Sequence, residues 1–287
     1  MVVARKATER DFDSVYALLK GLNPIISKER WQSIFLNNWR SEEDHVGYLL
    51  EDEGRAVGFL GYLFSKRTIN GRSEKFCNMT SWHVEEKYRS NSLMLLYPLL
   101  NMPGYTVTNF TAASGDLRRV LKRLGLQVLD DRSVVIYPAL VWNRTSGQDA
   151  ELVFDKSELE ARLSGKELEV FRDHSAFDCM HVLIRSGRED CYVILAETSR
   201  RGLPILSIQY ISDADAFVRC INSVLLRLLW KCGRLFLQVD KRMLKGRFIP
   251  NCKITNSGCE RLYRSATVSK EDVDNLYSEL FLLGIYT

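Results

Sequence analysis

The chain has 287 residues, 46% of them hydrophobic and 26% charged, the balance of a globular protein long enough for two domains of ordinary size. Its net charge of +4 is spread evenly, with 19 Lys+Arg against 16 Asp+Glu in residues 1–143 and 21 against 20 in the rest. With no basic stripe, zinc-finger spacing or RNA-binding signature, that surplus argues against nucleic acid as a partner.

From the N-terminus, "VVARKA" alternates like a half-buried strand, and Thr8 follows as a helix N-cap with Asp11 as its capping partner. Phe12, Val15, Tyr16, Leu19 and Leu22 then recur at helical spacing up to the break at Gly21-Leu22-Asn23-Pro24. A second helix is predicted from Ser27, with Trp31, Ile34, Phe35 and Trp39 on one face. "GYLLEDE" and "AVGFLGYLFSKRTI" read as a hairpin turning at Glu53-Gly54-Arg55, and Asn70-Gly71 leads into a fourth strand, "EKFCNMTSWHV". The stretch "SWHVEEKYRSNSLMLLYPLL" carries that strand into a third helix. "YTVTNFTAA" is strand-like, Ser114 to Leu124 is an amphipathic helix stopped by Gly125, and "RSVVIYPAL" closes this half. The order β-α-α-β-β-β-α-β-α-β requires a mixed α/β sheet with helices on its faces.

The longest apolar runs, such as "LMLLYPLL", stop short of the ~20 residues of a membrane span, and "MVVARKATERDF" lacks the apolar core of a signal peptide. A cytoplasmic protein is expected. The seven cysteines form no CxxC pair and read as reduced thiols, so neither a metal site nor a disulfide framework is expected.

Two motifs now bear on chemistry. "VEEKYRSNSLMLL" resembles the strand-to-helix segment of the GCN5-related N-acetyltransferase superfamily, and "RRVLKRLGL" is similar to the helix and ending of that family's later motif. The resemblance covers residues 1 to about 140. In the family pattern Q/R-x-x-G-x-G/A, Arg89 holds the first position, while Ser92 and Met94 replace the two glycines; Leu121 stands where many members have a general-acid Tyr. The resemblance implies an acyl-CoA N-acyltransferase fold with an acyl-CoA, acetyl-CoA first, bound at Val84, Arg89, Ser90, Asn91, Ser92, Leu93, Arg118 and Lys122. It implies His83 and Glu85 as acid or base groups facing the thioester, a small-molecule or glycan amine as acceptor, and no metal. Physically, a helix N-terminus attracts pyrophosphate through its free N–H groups, and Ser90, Asn91 and Ser92 can cap the helix or bond phosphate without glycine. The same residues serve equally as a plain helix cap. Arg118, Arg119, Lys122 and Arg123 form a basic face that fits either a phosphate or solvent.

The second half, after the polar stretch "NRTSGQDAEL", repeats strand, strand, strand, helix, strand through "CMHVLIRSG", "CYVILAETS", "LPILSIQYIS", a helix over Phe217 to Leu228, and "RLFLQVD". A final helix is predicted from Ser269, with Asp272 as capping partner and a face of Val273, Leu276, Tyr277, Leu280 and Phe281. Residues 144–287 are therefore expected to be a second, diverged acyltransferase-like lobe beside a cofactor-binding lobe of residues 1–143. Asp213 and Asp215 stand where its phosphate turn would be, and Tyr210, Asp240 and Arg242 fall at its strand ends, more plausible as structure than as binding groups. Two function classes stay open: an enzyme moving an acyl group from CoA to an amine, and a non-catalytic binding or assembly module with the same fold.

Overall fold

The structure is a computed structural model describing all residues except 37–38, 113, 139–149, 188, 201 and 287. It forms two compact units, one of residues 1–129, 260–269 and 277–285, the other of residues 130–259, 270–276 and 286–287.

In the first unit β1 (Val3–Ala7) is followed by α1 (Phe12–Leu22), α2 (Lys28–Leu36), β2 (Gly47–Asp52), β3 (Arg55–Ile69) and β4 (Arg72–Val84). A 3-10 run, Glu86–Leu95, and the short α3 (Tyr97–Leu100) lead to β5 (Tyr105–Asn109) and α4 (Gly115–Arg123). The strands pair in the order β1-β2-β3-β4-β5, antiparallel except for the parallel pair β4 and β5. A last strand, the end of β12 (Cys252–Arg264), pairs antiparallel with β5. The core under this sheet joins Leu60, Tyr62 and Met79 from the strands to Leu95, Leu99 and Leu121 from the helices.

The second unit repeats the order. β7 (Glu151–Val153), α5 (Lys156–Arg162), α6 (Gly165–His174), β8 (Met180–Ser186), β9 (Glu189–Arg200) and β10 (Leu203–Ile211) precede α7 (Ala214–Cys232) and β11 (Phe236–Asp240). Its strands pair β7-β8-β9-β10-β11, again with one parallel pair, β10 with β11. The strand that closes this sheet is β6 (Gln127–Ile136), antiparallel to β11. Each sheet is thus completed by a strand from the other half of the sequence. Leu206, Phe217, Ile221, Leu225 and Leu237 lie in its core.

The strands and the first helix follow their patterns closely. Asp11 Oδ2 accepts the Thr8 amide at 2.8 Å, capping the turn into α1, and Phe12, Val15 and Leu19 are buried along that helix. Trp39 lies beyond α2, in a bridge to Ser65. Four other readings are corrected. The third helix is instead a 3-10 run of ten residues, because Ser90, Asn91 and Ser92 favour local side-chain bonds over helix, and Pro98 permits an α-turn only at the start of α3. α5 and α6 were not anticipated, although Asp155 caps α5 through the Glu158 amide at 2.9 Å. The strand β12 was also missed. The C-terminal helix spans only Glu279–Leu283, because Asn275 turns inward and Tyr277 takes a φ of 57°. The expected face, Val273 to Phe281, is nonetheless buried. Of the expected linker, residues 143–149 lie outside the described residues, and 151–152 belong to β7. Among the described residues no helix is long and apolar enough to cross a membrane, and the seven cysteines are free thiols.

Candidate active site

β4 and β5 pair only over Lys75–Asn78 and Tyr105–Thr108. β4 continues to Val84 on its other side, against β3, so past Asn78 its β5-facing hydrogen-bonding groups have no ladder to enter. The strands part, and a cleft of about 640 Å³ opens between the end of β4, the end of β5, the 3-10 run and α4. Met79 to Val84 form one wall, Asn109 and Thr111 another, and Leu117 and Val120 of α4 a third.

A bulge shapes the first wall. Thr80 pairs with Gly61 and His83 with Phe59, which leaves Ser81 and Trp82 opposite the single residue Leu60. Ser81 takes a φ of 56°, a left-handed conformation that costs a non-glycine residue about 1–2 kcal/mol. Gly61 makes room for the bulge, since a Cβ there would lie 2.8 Å from Thr80 Cγ2.

Of the residues singled out in the sequence, the cleft brings together His83, Val84, Arg89 and Ser92. His83 is half-buried, and its imidazole is held below its ordinary pKa by desolvation first and then by the charge of Arg89, against the opposing pull of Glu85. Among the described residues no hydrogen bond reaches its ring, which leaves a neutral imidazole free to take a proton. Glu85 is engaged elsewhere: both its oxygens accept from the Arg55 guanidinium, which keeps its carboxyl below the usual range, and it does not line the cleft. Ser90, Asn91 and Leu93 share the 3-10 run but also do not line the cleft, Ser90 bonding Asn91 at 3.4 Å and Leu93 facing solvent. Arg89 to Ser92 therefore sit inside a 3-10 run that begins at Glu86, and not at the start of an α-helix. On α4, Lys122 Nζ donates to Glu260 at 2.9 Å, while Arg118 donates to the Ala112 carbonyl at 2.9 Å and lies 3.6 Å from Glu260.

Sequence reasoning missed the buried polar floor. Asn109 Nδ2 donates to the Met79 carbonyl across the fork at 3.2 Å. Asn78 donates to Thr108 at 3.1 Å and accepts the Glu279 amide at 3.3 Å. The Thr111 hydroxyl donates to Glu279 Oε1 at 2.9 Å. Three covered atoms in this group, Asn109 Oδ1, Trp82 Nε1 and Glu279 Oε2, have no hydrogen-bond partner among the described residues. Asn109 and Thr111 could have been suspected as polar residues at a strand end, but Glu279 comes from 168 residues further on and has no local signal.

The corresponding fork of the second unit is filled. β10 and β11 pair over Ile205–Ile208 and Phe236–Val239, and β10 slips register against β9 at Gln209, as β4 does against β3. Beyond that point the Asn275 amide bridges Gln209 Oε1 at 3.0 Å and Asp240 Oδ2 at 3.1 Å. The buried Arg242 donates to Asn275 at 2.6 Å, to Asp240 at 3.0 Å and to the Val273 carbonyl at 2.8 Å. At the start of α7, Asp213 already accepts the Asp215 and Ala216 amides, where a phosphate would otherwise sit.

No family model matches the sequence, and no curated protein matches it closely. Solved structures do. A GCN5-related N-acetyltransferase from Anabaena variabilis is similar at a TM-score of 0.60 and 11% identity, over 92% of this chain and 72% of that one. One from Kribbella flavida is similar at 0.59 and 13%, over 92% and 71%. A GCN5-related glucosamine N-acetyltransferase region of a fungal multi-domain beta-N-acetylglucosaminidase is similar at 0.55 and 12%, over 92% of this chain and 38% of that one. With the repeated strand order, the single parallel pair in each sheet and the bulged fork where β4 and β5 part in the first unit, the chain has the GCN5-related N-acetyltransferase fold, in two tandem lobes.

Proposed function

We propose that the chain is an acyltransferase that moves an acyl group, acetyl first, from CoA to the amine of a small molecule or amino sugar in a cytoplasmic setting. The observation that carries this reading is the open fork of β4 and β5, an apolar-walled cleft holding a neutral, half-buried His83. A thioester laid along β4 would meet strand amides that no ladder consumes, which polarise its carbonyl toward attack. The amine attacks the carbonyl carbon, the C–S bond breaks, and CoA leaves as a thiolate. His83 takes the proton that the nitrogen sheds from the tetrahedral intermediate and passes it to that sulfur. Arg89 and Ser92, on the cleft wall, would meet the pyrophosphate, and Arg118 and Lys122 of α4 would add positive charge. The amino-sugar class of acceptor is suggested by the glucosamine N-acetyltransferase region among the similar structures.

A non-catalytic binding module is the second reading, favoured by the 3-10 run where an α-helix would present its N-terminus. Thermal-shift titration with acetyl-CoA and longer acyl-CoAs, followed by CoA release with glucosamine as the amine, separates the two. The enzyme reading expects a shift with at least one acyl-CoA and CoA release that depends on amine. Absence of any shift across the series refutes it.

A further inference from the structure

We propose that Glu279, acting through Thr111, is the site that receives the ammonium proton of the acceptor, a role that rests on the acyltransferase reading of the same cleft. An amine meets the protein mostly as R-NH₃⁺ and cannot attack until it loses a proton. After attack it must lose a second, which ends on the CoA sulfur. His83 accounts for one of these events and leaves the other unserved.

Thr111 lines the cleft, and its hydroxyl donates to Glu279 Oε1 at 2.9 Å. With its one O–H directed at the carboxylate, the Thr111 oxygen offers its lone pairs as acceptors on the cleft side. An ammonium N–H that reaches it completes a relay: the N–H bond breaks, the Thr111 Oγ1–H bond reforms, and the former hydroxyl proton forms an O–H bond on Glu279 Oε1. The positive charge of the ammonium and the negative charge of the carboxylate are lost together, and the carboxyl later returns its proton to water.

Burial supports the assignment. Glu279 is fully buried, and its Oε2 has no partner among the described residues, an arrangement whose cost in the resting protein calls for an explanation. Desolvation first raises the carboxyl to about 7, opposed by the Thr111 hydrogen bond, the Glu279 backbone amide, the Arg261 charge and the Asn78 side chain. Among the described residues Arg261, from β12, is a charged group acting on it, and its guanidinium lies over the Phe110 ring at 5.4 Å. A carboxyl poised near neutrality suits proton acceptance better than an ordinary surface glutamate, which ionises too readily to hold a proton.

The test uses acetyl-CoA with glucosamine, in full-length protein carrying Glu279→Gln, Thr111→Val or Thr111→Ser. Glu279→Gln and Thr111→Val are expected to lower kcat by about 100-fold or more, and Thr111→Ser by only a few fold. All three should keep the wild-type thermal shift with acetyl-CoA. The ratio of wild-type to Glu279→Gln kcat cancels the ionisation of the substrate amine and should rise about tenfold between about pH 6 and pH 8, as a group near 7 loses its proton. A pH-independent ratio, the signature of a structural role, overturns the inference, as does an unchanged kcat in Thr111→Val. For a readout independent of turnover, carbon NMR of labelled glutamate should show the Glu279 resonance titrating near neutrality and moving when glucosamine is added with acetyl-CoA. Titration in the ordinary carboxyl range, or no response to the amine, overturns it. Loss of acetyl-CoA binding in the wild type instead refutes the acyltransferase reading, whatever Glu279 does.

Discussion

Replacing Glu279 with Gln should make stability depend on pH in a way that isolates the buried carboxyl. The folded-state carboxyl is raised from its ordinary 4.5 to about 7, so the folded protein binds the proton more tightly than the unfolded chain does. A raised carboxyl contributes stability that is fully present below about pH 4.5 and lost as pH climbs through about 7. Each pH unit in that window is worth about 1.4 kcal/mol, so wild type should lose roughly 3 kcal/mol relative to Glu279→Gln between those limits. Gln keeps the acceptor for Thr111 but puts an unpartnered N–H₂ where Oε2 lies, a constant cost of about 1–3 kcal/mol. The variant should therefore be the weaker protein near pH 4 and equal or stronger near pH 8. Urea unfolding of both proteins across that range measures the difference directly. A difference that stays flat with pH means the carboxyl titrates alike in folded and unfolded chains, and the burial argument is wrong.

Ser92→Asp should put a negative charge on the cleft wall where pyrophosphate is expected, lowering acetyl-CoA affinity by roughly 10- to 100-fold with little change in the melting temperature of the free protein. Calorimetric titration checks it, and unaltered affinity would place the phosphates elsewhere. Gly61→Ala should drive a Cβ into Thr80, disturb the bulge and cost about 1–3 kcal/mol in urea unfolding, with loss of acetyl-CoA binding alongside. His83→Gln should lower kcat with glucosamine by about 100-fold while leaving the acetyl-CoA-induced thermal shift in place. In the second unit, Asn275→Ala should strip partners from Gln209, Asp240 and Arg242 and cost about 3 kcal/mol or more, seen as a fall in melting temperature with no change in acetyl-CoA affinity.

The amino-acid order alone determined the repeated grammar of strands and helices, because each element carries its own periodicity. Apolar runs bounded by Glu53-Gly54-Arg55 and Asn70-Gly71 mark β2 to β4, helical spacing marks α1 and α7, and Thr8 with Asp11 marks a helix start, all within a few residues of chain. His83, Val84, Arg89 and Ser92 were legible for the same reason, since they lie on one continuous strand-to-turn segment that the cleft uses. Where local signals compete, the outcome was not legible. Ser90 to Ser92 cap a helix as readily as they break one, and only packing of Leu95, Leu96 and Leu99 in the core settles that stretch as a 3-10 run followed by a single α-turn. The C-terminal segment has the apolar spacing of a helix, yet Asn275 is drawn inward by Gln209, Asp240 and Arg242, partners from distant strands. Tertiary structure alone decided which strand closes each sheet, since β6 and β12 meet partners far from their place in sequence. It alone decided that one fork is open and the other filled, and that Glu279 lies beneath Thr111. Burial and pairing between residues more than a hundred positions apart depend on the whole fold, and no periodicity within a segment encodes them.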